Sequence, residues 1–216
     1  MRLRSGSRVL LATMVYLAIA AAAESSSGQG PVENAAFDSE LQPWVNDFWF
    51  NGTAEWTSFD RNNDENSGSA LLVDNSEDFF SRGTAVGQIG LPIRGDAYYV
   101  FGASAFVPSG QLAGGVARVS LVLFSQLSSS CEGAVLSDGL DAARTTDDWV
   151  DFVKSVHAPS NATCAWLYLV AAPDTIGNQF ELYFDSAILR EAMFADGFDR
   201  YGNTSEWSLT VMSLTQ

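Results

Sequence analysis

The chain has a single histidine, His157, among 216 residues. A multi-histidine or HExxH metal centre is therefore excluded, and zinc has no credible ligand set. Cations are scarce too: 11 Lys and Arg stand against 26 Asp and Glu, a formal net charge of −15. Nucleic acid and anionic membranes bind through clustered Lys and Arg, so neither suits this surface. No GxSxG elbow, Walker A loop or strand-coupled GxGxxG occurs, which removes the usual serine-hydrolase and nucleotide signatures. Beyond residue 23 no apolar run approaches the length of about 20 residues that a membrane helix needs. Nor does any later stretch hold a 3.6-residue period over three turns. Neither cysteine sits in a CxxC pair, so dithiol redox chemistry is out.

What is present begins with a leader. Arg2, Arg4 and Arg8 precede an apolar run over residues 9–22 that ends in Ala21-Ala22-Ala23 before Glu24. A basic start, a short apolar core and small residues before the cut describe a signal peptide over residues 1–23. An uncleaved anchor is the alternative. No Cys follows the run to carry a lipid. Removing those three arginines leaves 8 basic against 26 acidic residues, or −18. The mature protein is expected to be secreted, extracellular or periplasmic, without membrane insertion after cleavage. Export favours a disulfide between Cys131 and Cys164, with two buried thiols as the alternative.

Residues 24–33 read as a polar linker. From 34 to 191 the chain is a succession of short runs rich in Val, Leu, Phe, Tyr and Trp, separated by Gly, Asn, Asp, Ser and Pro. Strands are expected near 35–38, 47–59, 69–74, 84–92, 96–107, 116–125, 132–136, 149–158, 163–172 and 179–190. Alternation is clearest over 116–124, where Ala117, Val119, Leu121 and Leu123 share one face while Arg118 and Ser120 take the other. About nine or ten strands with regular turn signals predict an all-β fold, a two-sheet antiparallel sandwich. A closed barrel is the second choice. Residues 192–216 form a distinct C-terminal tail.

Two features bear on chemistry. Residues 60–68, DRNNDENSG, alternate oxygen-bearing side chains as a calcium loop does. An EF-hand needs Gly at position 6 and an acid at 12, where this loop has Glu65 and Leu71, so it is either a different calcium loop or a solvated connection. The second feature is aromatic: six Trp, six Tyr and fourteen Phe. Strand phasing puts Trp166 and Tyr168 opposite Ala165, Leu167 and Leu169, and puts Tyr183 opposite Leu182 and Phe184. With the aliphatic side chains inward, these rings lie on an outer face, open to a sugar or covered by loops. Flat rings beside polar donors such as Arg118 can stack on the C–H face of a sugar. Carboxylate-only catalysis stays open, but no acidic pair is marked by an apolar pocket, and Asp147-Asp148 reads as a turn.

Three stretches together resemble the carbohydrate-binding modules of the family 4/9 type, which are galactose-binding-like jelly rolls. Asn34-Ala35-Ala36-Phe37-Asp38, with Leu41 and Trp44 following, is similar to the N-x-x-F-E opening of that family. Trp56, Gly68-Ser69-Ala70-Leu71-Leu72-Val73, Val86-Gly87-Gln88-Ile89 and Tyr99 are similar to its middle. Trp149, Pro159 and Phe180-Glu181-Leu182-Tyr183-Phe184-Asp185-Ser186-Ala187-Ile188-Leu189 are similar to its closing strands. The resemblance implies a β-sandwich over 34–191 with a structural calcium as cofactor, held by Asp38, Asp185 and carbonyls supplied here by Gly68 and Ser69. Asp38 is one methylene shorter than the Glu of the family, and Ser186 replaces its second Asp.

The tail around Asp196-Gly197-Phe198-Asp199, Gly202 and Trp207-Ser208 resembles a short segment found in exported bacterial proteins. The expected function is an exported, non-catalytic carbohydrate-binding protein with a polysaccharide or glycan as its partner. It would hold the glycan through Trp166, Tyr168, Tyr183 and Arg118. The alternatives are a carboxylate-dependent polysaccharide hydrolase or lyase, and a structural or adhesive surface protein with the same fold.

Overall fold

A computed structural model describes residues 30–46, 52–75, 83–128, 130–141, 147–175 and 177–192. The expected signal peptide, most of the linker and the tail from residue 193 lie outside the described residues. Ten strands are present: β1 (Val45–Asn46), β2 (Thr53–Thr57), β3 (Ser69–Asp74), β4 (Thr84–Pro92) and β5 (Tyr98–Phe106), then β6 (Gly115–Gln126), β7 (Glu132–Asp141), β8 (Val150–His157), β9 (Cys164–Pro173) and β10 (Phe180–Glu191). They form two antiparallel five-stranded sheets, β1-β4-β9-β6-β7 and β2-β3-β10-β5-β8. The fold is the β-sandwich that the alternation predicted, and each strand from 69 onward falls within a few residues of its expected place.

Period-2 alternation explains the packing. From the first sheet Ala117, Val119, Leu121 and Leu123 of β6 and Ala165, Leu167, Leu169 and Ala171 of β9 point inward. They meet Phe101, Ala103 and Ala105 of β5 and Phe180, Leu182 and Phe184 of β10 in one continuous core. Alanines on β5, β6 and β9 leave room for the phenylalanines and leucines among them, which lets the two inner faces interdigitate.

Residues 35–38 are not a strand. Asn34 and Phe37 sit at φ 44° and 51°, left-handed conformations that no strand contains. The Asn34 amide instead folds the segment into a turn. Its Nδ2 donates to the Glu40 and Gln42 carbonyls at 2.7 and 2.8 Å, and its Oδ1 accepts the Asp38 N–H at 2.9 Å. Phe37 and Trp44 then pack with ring centroids 5.4 Å apart, and the Trp44 indole donates to the Asn34 carbonyl at 3.1 Å. The opening motif is a plug for one end of the sandwich.

In β10 the pairing to β5 runs Asp185↔Ser104 and then Ile188↔Gly102, so one extra residue is inserted. Ser186, at φ 52°, takes up this bulge. Inward side chains consequently change from Phe180, Leu182 and Phe184 to Ala187 and Leu189.

Cys131 and Cys164 are bonded, with Cα atoms 5.9 Å apart. The bridge ties the start of β7 to the start of β9. Closing that loop restricts the unfolded chain and stabilises the fold by about 3–4 kcal/mol on the chain-entropy account. Replacing both cysteines by alanine is expected to lower the unfolding free energy by about that amount in urea melts; an unchanged midpoint would contradict it.

Candidate functional site

The outer face of the β1-β4-β9-β6-β7 sheet is set out by its register in rows across the strands. Trp166, Val122 and Ser137 form one row, although the β6–β7 pairing shifts just beyond it. Val45, Gly87, Tyr168, Ser120 and Gly139 form the next. Val170, Arg118 and Asp141 form the third. Trp166 and Tyr168 are half-buried, with centroids 6.0 Å apart and rings nearly perpendicular at 87°. Trp166 leans on Phe124 at 4.5 Å and on the disulfide, and its buried indole N–H makes no hydrogen bond. Tyr168 lies over Gly87: a Cβ there would come within 2.4 Å of the ring. Glycine at 87 is thus the space the tyrosine occupies.

Arg118 grips Asp141 through two bonds, Nε to Oδ1 at 2.5 Å and Nη2 to Oδ2 at 3.0 Å. Hydrogen bonding to that carboxylate raises the guanidinium pKa, which fixes the pair in charged form. Arg118, Ser120, Ser137 and Asp141 line an open trough of about 520 Å³ at the β6–β7 edge, closed on one side by Lys154 of the other sheet.

Tyr183 belongs elsewhere. It lies on the outer face of the β2-β3-β10-β5-β8 sheet, where Phe59 rests on it at 4.8 Å, on Phe106 at 5.0 Å and on Trp149 at 5.5 Å. Burial, with the charges of Glu181 and Glu55, raises its phenol pKa. The structure brings Trp166, Tyr168 and Arg118 to one face and puts Tyr183 on the opposite one, so the four expected ligand residues do not form one site.

The residues expected to hold calcium differ in burial. Asp185 is 1% exposed, on the bulge of β10, next to Ser104 in the register. Asp38 is exposed, with its N–H bonded to Asn34. The carboxylate whose charge acts on Asp185 is Asp60, itself 4% exposed. Asp60 Oδ2 accepts the N–H groups of Asn62 and Asp64 at 2.7 and 2.8 Å, while its buried Oδ1 has no hydrogen-bond partner. Arg61 does not neutralise the pair, for its guanidinium turns to Ser104 Oγ at 2.7 Å and Asp151 Oδ2 at 2.6 Å.

Gly68 and Ser69 frame the same loop. A Cβ at Gly68 would strike the Trp56 indole at 2.6 Å, and that indole donates to the Phe37 carbonyl at 2.7 Å. Ser69 Oγ donates to the Phe59 carbonyl at 2.6 Å, while Ser67 Oγ donates to Ala36 O at 3.0 Å and the Ala187 N–H to Ala35 O at 2.9 Å. The loop, the opening turn and the β10 bulge are thereby tied together around two buried carboxylates. Among the described residues no three His, Cys, Asp or Glu side chains converge, so a cation here needs backbone oxygens as well. An orphaned buried carboxylate oxygen beside a second carboxylate fits a hard cation such as calcium. The 60–68 pattern was the sequence signal for Asp60; its pairing with Asp185 was not visible.

No family model matches the chain, and no curated protein matches it. Solved structures do. The enzymatically active domain of tailspike protein 4 of bacteriophage CBA120 is 14% identical over 76% of this chain, with a TM-score of 0.59. The chain spans only 21% of that protein. An arabinose-bound α-L-arabinofuranosidase gives 0.55 at 12% identity, covering 74% of this chain and 26% of its own. A family 16 carbohydrate-binding module gives 0.52 at 11% identity, covering 74% of this chain and 99% of the module. What these likenesses share with the chain is the β-sandwich.

Burial, together with the charge of Asp60, pushes the Asp185 carboxyl up to about 6, against the pull of the Ser186 and Arg61 backbone N–H groups. Asp60 is also raised by burial, but the N–H groups of Asp64 and Asn62, with the Ser67 and Asp185 side chains, hold it below its ordinary value. For Asp185 the folded state binds the proton more tightly than the unfolded state does. That contribution is complete below the unfolded value of 3.8 and is lost as pH rises through about 6. In chelator, stability is therefore expected to fall by up to about 3 kcal/mol from this group between those limits. Asp185→Asn should flatten that slope in urea melts; an unaltered slope would rule Asp185 out as its source.

Proposed function

We propose that the protein is an exported, non-catalytic glycan-binding β-sandwich that holds its ligand on the outer face of the β1-β4-β9-β6-β7 sheet. The observation that carries this reading is the placement of Trp166 and Tyr168 beside Arg118, Ser120 and Asp141 on that face. Half-exposed rings supply stacking surface, and the adjoining ion pair and hydroxyls supply fixed donors and acceptors. Support also comes from the likeness to a carbohydrate-binding module and to an enzyme with bound arabinose, and export is supported by the disulfide. The acid pair with diverging pKa values, Asp60 of the 58–68 loop and Asp185 of β10, is buried and suits an ion rather than a glycosidic bond.

Affinity electrophoresis against xylan, β-1,4-galactan, arabinan and mixed-linkage glucan, with a reducing-sugar assay run in parallel, tests the proposal. Retardation without sugar release is expected, and Tyr168→Ala should weaken it about tenfold or more. Sugar release would favour a hydrolase or lyase, and neither effect would favour a structural role.

The second part of the proposal is a structural calcium held by Asp60 and Asp185 with carbonyls of the 58–69 loop and the opening turn. The ion would supply charge neutralisation and tie these segments together. Calcium at a hundredfold excess over its Kd should stabilise chelator-treated protein by about 2.7 kcal/mol. Asp60→Asn and Asp185→Asn should each abolish the rise in Tm, whereas Asp38→Asn should not. A Tm indifferent to calcium would defeat the site.

A further inference from the structure

Resting on the glycan-binding reading, we infer that the trough at the β6–β7 edge is a subsite for a neutral sugar. It would be reached by a chain that crosses the strands from Tyr168, over Ser120, to Gly139. The register supplies the path. Tyr168 pairs with Ser120 and Ser120 with Gly139, so the three residues form one row on one face. This row is low, with a hydroxymethyl and a bare backbone beyond the ring. It is walled by Arg118 and Asp141 on one side and Val122 and Ser137 on the other. A Cβ at Gly139 would meet nothing nearer than 3.7 Å, so the space above that residue is open. From Tyr168 to Gly139 is two strand spacings, about 9.6 Å. A trisaccharide covers both ends, and a monosaccharide cannot.

Charge decides the chemical class. The trough holds two cations and two anions, joined as Arg118–Asp141 and Lys154–Asp138. Asp138 Oδ1 accepts Lys154 Nζ at 2.6 Å and the Gly139 N–H at 2.8 Å, which fixes the pair along that side of the trough. Among the described residues each cation of the trough is already neutralised, so a uronate would enter beside two carboxylates with no free cation among them, on a chain of net charge −15. Hydroxyl groups can instead use both kinds of partner, donating to Asp141 and accepting from Arg118.

Isothermal titration with xylo- and β-1,4-galacto-oligosaccharides of one to six residues, and with oligogalacturonate, tests the inference. The expected result is a gain in affinity of about tenfold from one to three residues in a neutral series, with oligogalacturonate weaker at matched length. Gly139→Leu fills the trough at an exposed edge position that accepts a side chain, and it should erase the gain while leaving Tm unchanged. Gly139→Ala, with its small Cβ, should retain most of it. If neutral oligomers bind and Gly139→Leu keeps the full length dependence, the subsite is overturned while the glycan reading stands. Oligogalacturonate binding as tightly as the neutral series would overturn the neutral class. If no oligosaccharide binds, the subsite falls together with the reading it rests on.

Discussion

One inserted residue governs the organisation of this molecule. The β10 bulge at Asp185 to Ile188 changes which side chains of the strand face the core, so it lets a single strand serve two phases of packing. It follows directly on Asp185, which shares the outer parity of Tyr183 and is buried under the 58–68 loop, and it offers the Ala187 N–H to the carbonyl of Ala35. Without that insertion the opening turn would lose its docking point. This backbone irregularity adds a hydrogen bond to the apolar contacts by which Phe37 and Trp44 dock the opening turn.

The two outer faces carry different kinds of surface. On one, a loop has folded down and its Phe59, still 39% exposed, fills the spaces among Phe106, Trp149 and Tyr183. On the other, the register leaves glycine beside Tyr168 at 87 and at the β7 end of its row at 139, and side chains rise on either side of it. The first arrangement spends its rings on each other. The second keeps rings and polar groups side by side, which is the mixture that sugars require.

The sandwich was legible because inward residues obey period 2 over long stretches, as in 116–124. Residues 35–38 were misread as a strand because Phe37 looks like a strand residue, while the left-handed φ values are imposed by the Asn34 amide. Phasing also established that Trp166, Tyr168 and Tyr183 point outward, but parity within a strand says nothing about which sheet the strand joins. Tyr183 was therefore grouped with residues that lie on the far side of the molecule. The carboxylate pair escaped for a related reason: Asp60 belongs to an oxygen-rich loop visible in the sequence, and only the fold of that loop over a distant strand brings Asp185 to it. Local composition reveals donors, and topology alone decides which donors meet.

Lys154 has a consequence beyond its bond to Asp138. The strands β7 and β8 are the outermost strands of their sheets, each hydrogen-bonded to one neighbour only. Such edges are templates for unwanted pairing with a second chain. Lys154 shares the inward parity of Phe152 and Val156, so a charge sits where the alternation calls for an apolar side chain. An incoming strand that extended either sheet would have to bury that ammonium or pull it away from Asp138. A charge at such an edge is the kind of obstacle that discourages a further strand from pairing there.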